Sequence, residues 1–192
     1  MSRFMVHKPY VNPIIVANET LTRCGQPRLT NGRAIDVEHI AQEFCKLELM
    51  FIPDLSPSGK PLLGLFTPAL NAIMVNSDSI PARQRFTIAH EIGHVQLEYG
   101  HGSASPLFSL DEPELFECTE EDEGFGLMDE RRAGLRRKKE IRANKFAAHL
   151  LMPEGLVREV WREQYGNAER VSNALMVSNE ALGYRLKDLG LS

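Results

Sequence analysis

Apolar positions fall in distinct periods along this 192-residue chain, and each period predicts an element. The first 33 residues are rich in Pro, Asn, Thr and Arg and show no period, which predicts an irregular N-terminal arm. Val37, Ile40, Ala41 and Phe44 then follow the i, i+3, i+4, i+7 rule of a helix that Asp36 can cap. Short apolar runs over 47–52, 62–66 and 72–76, separated by PDLSPSGKP and TPAL turns, predict strands of a small antiparallel sheet. Pro81 suits the first turn of a longer helix, whose apolar residues Phe86, Ile88, Ala89, Ile92, Val95 and Leu97 leave few sides for solvent. Within it Gly93 costs about 1 kcal/mol relative to alanine and therefore predicts a close backbone approach.

A second buried helix is marked by Ile141, Ala143, Phe146, Ala147, Leu150 and Leu151 and is stopped by Pro153. Over 153–192 the chain reads as helical. Leu156, Val157, Val160 and Trp161 form one stripe, and Ser178 caps a last helix with Ala181, Leu182, Leu186 and Leu189 inward, ending at Gly190. The MVS turn there hints at a helix-turn-helix, but Arg185 and Lys187 are balanced by Glu180 and Asp188, which favours packing over DNA reading. The expected fold class is α+β: a small sheet over a buried helix, then a C-terminal helical part, in one domain over 34–192.

The region 102–139 breaks the pattern. Eight acids occur in the thirteen residues 111–123, and six bases in the nine residues 131–139. Such charge blocks are usually solvated. The functional alternative is a lid, anchored by Phe116, Phe125, Leu127 and Met128, whose two ends must both come back near the buried helices.

Composition changes this picture little. At 43% hydrophobic and 25% charged, the chain is an ordinary globular one, and a net charge of −4 leaves no electrostatic footprint for nucleic acid. Cys24, Cys45 and Cys118 lack metal-motif spacing, so free thiols in a reducing compartment are expected. The start MSRFMVHKPYVNP lacks the apolar core of a signal peptide, and no run reaches the ~18 apolar residues of a membrane span. The expected location is cytoplasmic, with no membrane partner.

The chemistry concentrates in HEIGH, residues 90–94. Histidines four apart on a helix lie about 40° apart around its axis and roughly 6 Å apart along it, so His90 and His94 can close on one metal ion. Glu91 stands beside them, where a carboxylate can act as general base on an attacking water. Two imidazole ligands and a base are the constellation of a zinc hydrolase. A catalytic zinc needs a third protein ligand. His101 falls one position outside the HExxHxxGxxH pattern, and Leu97 stands where that pattern needs glycine. Glu98 is roughly 12 Å of helix rise from His90 and is expected to be solvated. Glu140 is the better candidate: it shares a face of the second buried helix with Asn144, whose amide can hold a ligand in place. A carboxylate favoured by the positive end of the helix dipole remains the alternative for Glu140. For an oxyanion donor, Tyr99, His101, His149, Tyr165 and Tyr184 all stand open.

The runs RFTIAHEIGH, ExxANxFAAxLLMP and VSNEALGYRLKDLGL, with AIDVEHIAQEF and NAIMVN upstream, resemble the ImmA/IrrE family of metallopeptidases over most of 34–192. The stretch between Gly102 and Lys139 is unmatched. The resemblance implies a zincin-like fold, with His90, His94 and Glu140 as zinc ligands and Glu91 as catalytic base. It also implies a regulatory endopeptidase acting on a protein partner, a helix-turn-helix repressor or antitoxin, in a stress-response or mobile-element circuit. The alternative is a toxin or sensor that holds such a partner without cutting it, although a pure binder has no need of Glu91.

Overall fold

The computed structural model describes residues 11–30, 32–56, 62–99, 116–118 and 134–191. The N-terminal arm is not wholly irregular. Helix α1, Pro13–Arg23, starts where the Asn12 side chain accepts from the Ile14 N–H and Pro13 occupies the first turn. Val16, Ala17, Thr20 and Leu21 form its buried face, and it lies against the later helices α3 and α4. A polar Thr20 in the middle of that face is what hides the helical period from the sequence.

Helix α2, Val37–His39, is capped as expected, with the Asp36 carboxylate accepting from the His39 N–H at 3.0 Å. It then widens into a π turn, Ile40–Phe44, in which the Cys45 N–H reaches back five residues to the Ile40 carbonyl at 2.9 Å. Phe44, at the end of that turn, is half-buried.

Strands β1 (Glu48–Ile52), β2 (Gly64–Thr67), β3 (Ala72–Asn76) and β4 (Phe116–Cys118) form one sheet in the order β1-β3-β2-β4. The expectation of an antiparallel sheet holds for β2–β3 and β2–β4, but β1 pairs with β3 in parallel, Glu48 opposite Ala72 and Ile52 opposite Asn76. The second turn sets the β2–β3 pairing. Pro68–Leu70 forms a 3₁₀ turn, and Asn71 in the left-handed region (φ 49°) folds β3 straight back on β2. β1 lies along the far side of β3 and β4 along the far side of β2. The fourth strand comes from the segment expected to be a charged insert.

Helix α3, Pro81–Tyr99, packs beneath β2 and β3, and helix α4, Leu135–Leu151, packs on α3. Two glycines set these approaches. A Cβ at Gly64 would overlap the Thr87 side chain and lie 2.8 Å from the Met74 carbonyl. One at Gly93 would lie 3.0 Å from Phe146 Cδ1 and 3.2 Å from Ala143 Cα, which is the close approach expected of Gly93. α4 already runs through 135–139, so that part of the expected insert is helix. Phe125, Leu127 and Met128 lie outside the described residues, and of Phe116 only the backbone is described.

Helices α5 (Glu154–Glu163), α6 (Ala168–Leu175) and α7 (Asn179–Asp188) complete the chain. Ser178 Oγ accepts from the Ala181 N–H at 3.1 Å, and Leu156, Val157, Val160, Ala181, Leu182 and Leu186 join the main core. Two buried arginines fasten this part to the rest. Arg85 of α3 donates to the Ile35 carbonyl at 2.7 Å and the Met176 carbonyl at 3.2 Å, and Arg185 of α7 donates to the Met152 carbonyl at 3.0 Å. The fold class is α+β. No helix among the described residues is long and apolar enough to cross a membrane.

Candidate metal centre

The α3–α4 contact brings together side chains fifty residues apart in sequence. His90 Nε2 and His94 Nε2 lie 3.0 Å apart, and Glu140 Oε2 lies 3.2 Å from the first and 3.3 Å from the second. Ligand atoms on a tetrahedral zinc at about 2.0–2.1 Å stand roughly 3.3 Å from one another. The triangle therefore fits one face of such a site, and it is the only His/Cys/Asp/Glu group of three with that spacing among the described residues.

Local structure aims each group. The i, i+4 spacing stacks the two imidazoles edge to face, with ring centroids 4.7 Å apart. On α4 the same spacing places Asn144 one turn beyond Glu140. Its Oδ1 lies 2.7 Å from His90 Nδ1, and an amide oxygen can only accept, so Nδ1 carries the proton. His90 Nε2 is thereby left with its lone pair toward His94 and Glu140. Glu140 is not a first-turn carboxylate, because α4 begins five residues earlier, at Leu135. The dipole alternative falls with that.

Electrostatics point the same way. Burial opposes charge on His90, yet the bond to Glu140 and the charge of Glu91 outweigh it, and its pKa is raised. Burial dominates at His94 and lowers its pKa to about 4. Burial also opposes charge on Glu140, but its close contacts with the two histidine rings prevail and lower its pKa to about 2. Three buried groups thus compete for one positive charge, which a metal ion can supply. Glu91 itself is 0% exposed, directly beside this triangle on α3.

The other candidates go elsewhere. His101 and the Tyr99 side chain lie outside the described residues. His149 faces α7, 3.3 Å from Arg185 Nη1. Tyr165 is 93% exposed in the turn after α5, and Tyr184 stands on the solvent side of α7. Glu98, expected in solvent, is instead half-buried, 3.3 Å from Arg142 and 3.9 Å from Lys139. These ion pairs lock α3 to α4 one turn beyond His94. Basic residues flanking Glu140 were the available signal for them.

A family profile described as the IrrE N-terminal-like domain, Peptidase_M78, matches residues 50–187. The chain belongs to this peptidase family. The radiation response metalloprotease IrrE of Deinococcus radiodurans is 36% identical over 107 residues, covering 56% of this chain and 26% of that protein. The chain thus spans about a quarter of that relative's length. A Mycobacterium tuberculosis transcriptional regulator shares the fold, with a TM-score of 0.62 at 15% identity, over 93% of this chain and 47% of that one. The matched stretch of the peptidase family includes both helices that carry the metal triangle.

Proposed function

We propose that this chain is a zinc-dependent endopeptidase in which His90, His94 and Glu140 hold the metal and Glu91 is the general base. The observation that carries the reading is the triangle of ligand atoms with a fully buried carboxylate beside it. Bound zinc supplies a Lewis acid for the scissile carbonyl. The chain supplies the rest. Asn144 fixes the tautomer and orientation of His90, as outer partners of metal-bound histidines do. Glu91 takes the proton of the attacking water and returns it to the leaving amine. Its burial leaves no bulk solvent to compete for that proton.

The substrate in this reading is a protein, and the family supports a regulatory one: a helix-turn-helix repressor or an antitoxin in a stress-response or mobile-element circuit. The test is co-expression with repressors encoded beside the gene, using wild type and Glu91→Gln. Glutamine keeps the shape and cannot take the proton, so cleavage fragments should appear with wild type alone. A variant that still silences the repressor without cutting it would overturn catalysis in favour of partner sequestration.

A further inference from the structure

Thr87 lies one turn before Glu91 on α3 and is fully buried. On an ideal helix it stands about 40° from Glu91 and about 20° from His94 around the axis, so it shares the face of the metal triangle. Its methyl is pinned. A Cβ on Gly64 of β2 would fall on Thr87 Cγ2, so the glycine is what lets the methyl seat beneath the strand. A β-branched side chain held by its methyl has its hydroxyl direction fixed as well. A helical threonine can turn that hydroxyl back on the carbonyl four residues earlier, as Thr22 does to Asn18 at 2.8 Å. Thr87 Oγ1 does not: buried, it has no hydrogen-bond partner among the described residues.

Packing alone does not account for this hydroxyl. Valine would fill the same space beneath Gly64 without the desolvation penalty of a buried polar group. The Thr20 and Thr67 hydroxyls are also buried without a partner, but on α1 and at the end of β2; of the three, Thr87 lies on the face that carries His90, Glu91 and His94. Cα–Cβ bonds of a helix tilt toward its N-terminus, so the Glu91 side chain sets out toward Thr87. Residues four apart have Cβ atoms about 5–6 Å from each other, and buried waters characteristically join polar groups that would otherwise lack partners. We propose that Thr87 is a positioning residue for Glu91: its hydroxyl donates to one buried water, and that water donates to the Glu91 carboxylate. The inference rests on the reading of Glu91 as general base. A donor on one carboxylate oxygen fixes the plane of the group and leaves the other oxygen for the proton it takes. The sheet thereby sets the base, since Gly64 seats the methyl, the methyl aims the hydroxyl, and the hydroxyl holds the carboxylate.

The test is a double-mutant cycle on the full-length, zinc-loaded protein, read as Tm, with a crystal structure beside it. Thr87→Val keeps the shape and removes the donor, and should lower Tm by about 2–4 °C. In a Glu91→Leu background, which has no carboxylate to hold, the same change should cost less than half as much. Thr87→Ser is the control: it loses the methyl and keeps the hydroxyl, so its cost should be equal in the two backgrounds. The crystal structure should show a water within hydrogen-bond distance of both Thr87 Oγ1 and a Glu91 carboxylate oxygen. A Tm of Thr87→Val at or above wild type, or an equal cost in both backgrounds, would overturn the proposal. So would a crystal structure with no water at that place, a result that needs no variant to fold. None of these readouts involves turnover, so an absence of cleavage would count against the endopeptidase reading and not against the bridge.

Discussion

Asn144 Oδ1 lies 2.7 Å from His90 Nδ1, so a residue of α4 sets the tautomer of a residue of α3. Asn144→Leu removes that acceptor while filling similar space. Loss of such an outer partner typically weakens metal binding by about 10–100-fold. Chelator competition should show that loss for Asn144→Leu, with little change in the far-UV circular dichroism. Unchanged metal affinity would mean that ring packing alone orients His90.

Glu140 contributes the carboxylate of the triangle, and two imidazoles without it are too few for a stable catalytic site. Glu140→Ala should leave the purified protein with well under one zinc per chain by elemental analysis. Full occupancy in that variant would move the third ligand elsewhere, first to His101.

Gly93 has no room for a side chain, because two of the atoms nearest its missing Cβ, at 3.2 and 3.3 Å, are Ala143 backbone. Those atoms move only if α4 moves. Gly93→Ala gains about 1 kcal/mol of helix propensity but overpacks the seam, which typically costs about 1–3 kcal/mol. Net destabilisation on the order of 1 kcal/mol should lower Tm by about 2–4 °C. Metal affinity should fall with it, since separating α3 from α4 separates His94 from Glu140. A Tm equal to or above wild type would show that Phe146 and the helix absorb the methyl.

Some of this architecture is legible in the sequence because it is local. His90, Glu91 and His94 sit within five residues of one helix, and the Ser178 and Asp36 caps are decided within three. Glu140 is readable because Asn144 repeats the i, i+4 logic on a second apolar helix. What escapes is set at a distance. Nothing near β1 states that its partner is β3 in parallel, because the pairing joins segments more than twenty residues apart. The buried Thr20 reads as a polar interruption until α1 is seen packed on α3 and α4. The widening at Ile40–Phe44 appears only where α2 meets the rest of the core, since the sequence there fits an ordinary helix equally well.

His149 offers a test of linkage away from the metal. Burial lowers its pKa to about 4, and the cations of Arg185 and Lys145 add to that, against a smaller pull from Glu154. In the unfolded chain a histidine titrates near 6.5. Between those values the unfolded state binds a proton that the folded state refuses, so stability rises with pH across this window. The contribution is complete above about pH 6.5 and is lost as pH falls toward about 4. His149→Gln keeps an acceptor for Arg185 and removes the titration. Denaturant unfolding of metal-free wild type and variant should therefore differ by a constant above pH 7, with wild type losing ground steadily below 6.5. The metal-site histidines titrate in both proteins and cancel in the difference. A pH-independent difference from pH 7 down to 4.5 would show that His149 accepts its proton in the folded state as readily as in the unfolded one.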